Sequence, residues 1–173
     1  MFAKIVAFPL TLTLFVAIVF SPVRAEEVDV IGAFKDWTAY ATKQAGNKLC
    51  YMASEPKKDE GKYGKRGRIY AMVSHRPAAK ANDVISIHAG YKYKEGSSVS
   101  VKIGGQAFTL FTNGDTAWAS TATDDRALVK SMRAGKSMVV RGVSWRGTKT
   151  KDTYSLHGFT AAYREIGKAC RVK

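Results

Sequence analysis

Residues 99–110 read VSVKIGGQAFTL, and their alternation decides the fold class. Val99, Val101 and Ile103 alternate with Ser100 and Lys102 up to Gly104-Gly105, and Phe108 and Leu110 continue the pattern beyond it. With the two glycines as a two-residue turn, Ile103 faces Gln106, Val101 faces Phe108 and Val99 faces Leu110. Two apolar cross-strand pairs then share one face, which is what fixes the register of a half-buried antiparallel hairpin. The same glycines do not form a phosphate loop, because no Lys-Ser/Thr ending and no helix follow them.

The flanking sequence extends the hairpin into a meander. Asn113-Gly114 offers a second two-residue turn, returning through Thr116 to Ala119 with Trp118 in the next strand. Residues 138–145 predict a strand and residues 153–156 another. Arg146-Gly147 as the turn between them would set Val139 opposite Tyr154 and Arg141 opposite Asp152, while a longer loop through residues 148–151 is the other reading. Upstream, residues 49–53, 69–74 and 84–89 are β-rich runs ending at Pro or Gly. Two segments read as helices. Asp124-Asp125 would cap the first, with Leu128, Val129 and Met132 as its apolar stripe and Gly135 as its stop. The second carries Phe159, Ala162, Tyr163, Ile166 and Cys170 at spacings of three and four. Many short strands with two small helices predict a β-sandwich. Its expected core includes Trp37, Val101, Phe108, Leu110, Trp118, Tyr154 and Ile166.

The first 25 residues read as an export signal. Lys4 supplies the positive start, residues 5–20 the apolar stretch, and Val23-Arg24-Ala25 the cleavage site, so the exported chain is expected to begin near Glu26. The stretch falls short of the roughly 20 apolar residues needed to span a bilayer. Residues 26–173 then form a single domain, with no second apolar span. Cleavage removes Lys4 and Arg24 and no acid, lowering the net charge from +14 to +12. Cys50 and Cys170 are the only cysteines. In an oxidising compartment two thiols pair, so a disulfide is expected between them.

Residues 55–68, EPKKDEGKYGKRGR, depart from the rest and read as a mobile surface loop. Lys57, Lys58, Lys62, Lys65, Arg66 and Arg68 are the candidate anion-binding residues. Such density suits phospholipid or lipopolysaccharide head groups, sulfated glycans or host-surface components. Nucleic acid is the weakest partner of this kind, since no nucleic-acid-binding motif appears. Candidate bases are His75, His88 and His157, none of which lies in a nucleophile motif or has a second histidine at metal-ligand spacing. Two cysteines and three scattered histidines do not compose a metal site, and no cofactor motif is present. A bridged pair leaves no thiol nucleophile. The expectation is a binding protein, not an enzyme. An envelope hydrolase whose site assembles only in three dimensions is the alternative, and a cleft holding a histidine against a carboxylate would be its mark.

Taken end to end, the chain resembles the invasion-associated locus B family of exported bacterial proteins. The resemblance rests on GAFKDWTAY at 32–40, YAMVSHRP at 70–77, FTLFTNGDTAWA at 108–119 and SMVVRGVSWRGTKTKDTYSLHGFTAA at 137–162. It implies an immunoglobulin-like β-sandwich, export to the periplasm, cell surface or medium of a Gram-negative bacterium, and a role in host-cell invasion or the envelope. It brings no enzymatic motif. Family members often carry a further cysteine just after the Asp-Trp pair, where this chain has Thr38-Ala39-Tyr40-Ala41, so a single disulfide is all it can form.

Overall fold

The computed structural model describes residues 27–172. The expected export signal at 1–25, its cleavage site and the new N-terminus at Glu26 lie outside the described residues. Eleven strands carry the framework: β1 (Asp29–Phe34), β2 (Trp37–Gln44), β3 (Asn47–Ser54), β4 (Lys58–Gly61), β5 (Tyr70–Arg76), β6 (Ala81–His88), β7 (Ser98–Ile103), β8 (Gln106–Asn113), β9 (Thr116–Trp118), β10 (Ser137–Val143) and β11 (Lys149–Ser155). Two helices, α1 (Ala122–Ala134) and α2 (Phe159–Cys170), complete it. The strands hydrogen-bond in the order β1-β2-β3-β5-β6-β9-β8-β7-β10-β11-β4, and every pairing is antiparallel.

The ladder is rolled. Only three residues separate Ser54 from Lys58, so β3 near one edge passes directly into β4 at the other. Trp37 at the start of β2 donates its indole N–H to the Ser155 carbonyl at the end of β11, 3.0 Å away. The arrangement is sandwich-like, with the inner faces of all the strands but β4 enclosing one apolar core.

The hairpin of residues 99–110 has the expected register, with Val99 opposite Leu110 and Val101 opposite Phe108. Its inward face buries Val99, Val101, Ile103 and Leu110. Phe108 and Trp118 are only half-buried, unlike the rest of the expected core, because Phe108 sits at the margin of the inner face and Trp118 points outward beside Phe111. The next turn shifts by one residue: Asn113 pairs with Thr116, so Gly114-Asp115 and not Asn113-Gly114 forms the tip.

The β10–β11 register also differs by one from the Arg146-Gly147 turn. Met138 faces Tyr154, Val140 faces Asp152 and Val139 faces Thr153. Trp145-Arg146-Gly147 is a three-residue tip, closed by the Ser144 N–H on the Thr148 carbonyl at 2.9 Å, with Gly147 in the left-handed region at φ 83°. A left-handed third residue is what such a tip needs. The slip has a cause in burial: Met138 and Tyr154 are both fully buried and must share the inner face.

The α1 cap is Thr121, whose hydroxyl accepts from the Asp124 N–H at 3.1 Å; Asp124 and Asp125 occupy the first turn instead of capping it. Helix α2 buries Phe159, Ala162, Ile166 and Cys170, and it packs across β2 and β3. Phe159 meets Trp37 edge-on, ring centres 4.9 Å apart. At its start, Gly158 has φ 87° and lies so close to the Phe34 carbonyl that a Cβ would come within 1.8 Å of it. No other residue fits there. The Cys50–Cys170 disulfide forms as expected, tying the end of α2 to β3.

Candidate functional site

The three histidines do not converge. His75 on β5 points inward and is 0% exposed. Its Nδ1 accepts from the Asp83 N–H at 3.1 Å and stands 4.0 Å from the Asp83 carboxylate. Tyr163 of α2 donates to the same carboxylate at 2.5 Å and meets the imidazole edge-on. Burial pushes His75 below the usual histidine range, and Asp83 only partly opposes this. The imidazole is therefore neutral and sealed, with Nε2 unpartnered. A histidine does face a carboxylate here, but inside the core and beside the disulfide, since Cys50 is its cross-strand partner. His88 lies on the outer face, stacked on Tyr70 at 4.2 Å, with Nδ1 3.1 Å from the Thr116 hydroxyl. His157 sits in the turn leading to α2. No group of three or more His, Cys, Asp or Glu side chains gathers to hold a metal among the described residues.

Asp125 is a buried acid near this cluster. It accepts the Ile85 N–H at 2.9 Å, fastening α1 to β6. Burial pushes its carboxyl up to about 6, with the Asp83 charge adding to the effect. A raised folded-state value means the neutral acid is favoured by folding. The stabilisation is complete below the unfolded value near 3.8 and is lost as pH rises through about 6. Asp125→Asn keeps the acceptor and removes the charge. It is expected to raise stability by on the order of 1–3 kcal/mol at pH above 7 and to change it little near pH 4. Urea unfolding at the two pH values measures this, and an equal effect at both would refute it.

The basic segment is anchored where a mobile loop was expected. Lys58–Gly61 pairs with β11 as an edge strand. Arg66 is buried, its side chain 4% exposed, and grips Asp152 with both terminal nitrogens at 2.7 and 2.6 Å. Its Nε donates to the Ala89 carbonyl, and the guanidinium lies over the rings of Tyr63 and Tyr91. Of the other candidate anion-binding residues, Lys57 pairs with Asp36, Lys58 with Glu60 and Arg68 with Glu55. Lys62 and Lys65 form no ion pair among the described residues. The six cations thus do not share one surface task, because Arg66 turns inward.

A different constellation emerges on the outer face of β2, β3 and β5, which is concave. Tyr40 stacks on Tyr51 across strands, centres 4.9 Å apart and planes within 17°, and the Tyr70–His88 stack stands two strands further on. The hydroxyls of Tyr40, Tyr51 and Tyr70 make no hydrogen bond among the described residues, whereas those of Tyr91 and Tyr163 do. Partial burial pushes Tyr51 and Tyr70 above the usual tyrosine range, so their phenols remain donors. Lys35 and Lys57 stand at one end of the groove and Arg76 at the other. Arg76 donates to the Ser74 hydroxyl at 3.0 Å and has no carboxylate partner among the described residues. Sequence reasoning missed this site. Its tyrosines lie on three separated strands, and only their outward phase, opposite to Cys50, Met52 and Val73, hinted at a shared face.

A model of the invasion associated locus B (IalB) protein family matches residues 37–167. The chain belongs to that family. The match begins at the buried Trp37 and runs to Gly167, so the family span contains the groove strands β2, β3 and β5, the Arg66–Asp152 pair and nearly all of α2. The family's name marks it as invasion-associated. No curated protein and no solved structure matches the chain. No helix among the described residues is long and apolar enough to cross a membrane.

Proposed function

We propose that this chain is an exported interaction protein of the periplasm or cell surface, contributing to invasion or envelope function, and that its tyrosine groove holds an oxyanion-bearing glycan. The observation that carries this reading is the row of unpartnered phenol donors, Tyr40, Tyr51 and Tyr70, in a groove that ends at the unpaired Arg76, next to Tyr51. Sulfate, phosphate and carboxylate groups accept hydrogen bonds from just such donors, and a charged acceptor roughly doubles their strength. The stacked rings hold the donors upright without an entropic cost on binding, since each ring is fixed by its neighbour. The reading is non-enzymatic. His75, the histidine that stands within 4.0 Å of a carboxylate, is sealed from water.

The test is calorimetric titration with a short sulfated oligosaccharide and with its desulfated form. Arg76→Gln combined with Tyr51→Phe is expected to weaken binding of the sulfated form at least about tenfold, because each change removes a donor to a charged group. Lys130→Gln combined with Arg164→Gln, which removes charge outside the groove, should change it about twofold or less by screened long-range attraction alone. Equal losses in the two variants would rule the groove out.

A further inference from the structure

The outer face of the other half of the sheet carries a different chemistry. The observed register places side chains in cross-strand rows there. Lys102, Val139, Thr153 and Lys58 form one row, and Ser100, Arg141, Lys151 and Glu60 the next. Beyond them Val143 faces Lys149, and Lys62 follows Gly61, the partner of Thr150. These strands therefore present five cations on one face, with Lys62 just past the end of β4, against the single carboxylate of Glu60, which is already shared between Lys58 and Lys151. Like charges placed this close are unfavourable for the free sheet, and an anionic partner relieves that repulsion.

At the end of the same face stands the β10–β11 tip. Trp145 is 60% exposed, and Arg146 lies over its ring at 4.7 Å. The Trp145 N–H donates to the Lys92 carbonyl at 2.9 Å, and the Gly147 N–H to the Ser144 carbonyl at 2.8 Å. The Thr148 N–H is held by the Ser144 hydroxyl. The tip is thus a stiff mount for an indole that buries nothing in the core. Lys62, Arg146 and Lys149 surround the same shallow hollow.

We infer that this face docks on an anionic lipid surface, with Trp145 entering the head-group layer and the lysine rows lying along it. An indole with its apolar body and single N–H donor favours the membrane–water boundary. Cations held within a Debye length of anionic head groups add their attractions. The face is a sheet surface without walls, which suits an extended partner better than a small ion. This inference is independent of the groove, because none of its residues lines that site.

The experiment uses a protein beginning at Glu26, which retains every residue of the described core. Its partitioning is measured on vesicles of phosphatidylcholine alone and of phosphatidylcholine mixed with phosphatidylglycerol, with tryptophan emission recorded. Binding is expected only to the anionic vesicles, with a blue shift that Trp145→Ser abolishes. Arg141→Gln with Lys149→Gln should lower partitioning about 25-fold, at roughly fivefold for each cation at the surface. The control, Lys130→Gln with Arg164→Gln on the exposed sides of the helices, removes the same charge and should lower it far less. All four side chains are exposed, so the variants keep the core. Equal losses in the two double variants, bound protein with unshifted emission, or no vesicle binding would each overturn the inference. Retention on heparin without vesicle binding, abolished by the face variants, would assign the face to a sulfated polymer instead and overturn it as well.

Discussion

Arg66→Ala is expected to lower the free energy of unfolding by about 3–5 kcal/mol at neutral pH. Both charges of the Arg66–Asp152 pair are almost wholly out of water, each side chain 4% exposed. Removing the guanidinium leaves a carboxylate inside the sheet with no counter-ion, and that uncompensated burial dominates the loss. Burial already holds Asp152 above the usual carboxylate range even with Arg66 beside it. Without Arg66 the acid escapes part of the penalty by taking up a proton. Its folded-state value then lies further above the unfolded one, so the deficit grows as pH rises and shrinks as pH falls toward 4. The double variant Arg66→Met with Asp152→Leu should recover most of the loss, since no orphaned charge remains. Urea unfolding of both variants at pH 5 and pH 8 decides the matter. A loss below about 1 kcal/mol for Arg66→Ala at pH 8 would show that water reaches Asp152 and that the pair is not sealed.

The same pair explains where sequence reading stops. Residues 55–68 carry one apolar candidate, Tyr63, among charges and glycines, and nothing in their periodicity separates a solvated loop from an anchored one. The anchoring comes from Asp152, 86 residues away from Arg66, and from β11 accepting Lys58–Gly61 as an edge strand. Both are non-local, and both involve residue types that normally face water. The hairpin at 99–110 was legible because its turn and its apolar phase are neighbours in the chain and agree with each other. The β10–β11 hairpin shows what happens when only one of the two is clear. Arg146-Gly147 satisfies a two-residue turn, yet a three-residue tip with Gly147 left-handed satisfies burial of Met138 and Tyr154 as well, and burial wins. Helix α2 could be read from its spacing, whereas the role of Asp125 could not. A carboxylate in a first helical turn is ordinarily a surface group favoured by the helix dipole, and only the unfilled Ile85 N–H on the neighbouring strand draws it inward. The groove lay beyond the sequence for a further reason. A tyrosine on a strand reads as half-buried wherever it falls, and whether three of them meet depends on the order in which β2, β3 and β5 pair.

Replacing both Cys50 and Cys170 by Ala is expected to cost about 4–5 kcal/mol in the chain-entropy limit, with about 2 kcal/mol as the lower bound seen for native bridges of small secreted domains. The bridge spans 120 residues, so it removes a large share of the conformations open to the unfolded chain. Its position in the native fold adds a second consequence. Helix α2 is the last element, and the disulfide fixes its end to β3 while Gly158 fixes its start against the Phe34 carbonyl. Between those two points the helix covers Trp37 and closes over His75 through the Tyr163–Asp83 hydrogen bond. Loss of the bridge should therefore loosen α2 before the sheet. Amide hydrogen exchange is expected to rise first in the last two turns of α2 and at His75 and Asp83, with β7, β8 and β10 protected until global unfolding. Reduction of the wild-type protein should reproduce both effects only after partial denaturation, because Cys50 is 0% and Cys170 4% exposed and a reductant thiolate has no path to either sulfur. Uniform acceleration of exchange across helix and sheet would show that the bridge acts only through the unfolded chain. A double variant within 1 kcal/mol of wild type would show that neither mechanism operates.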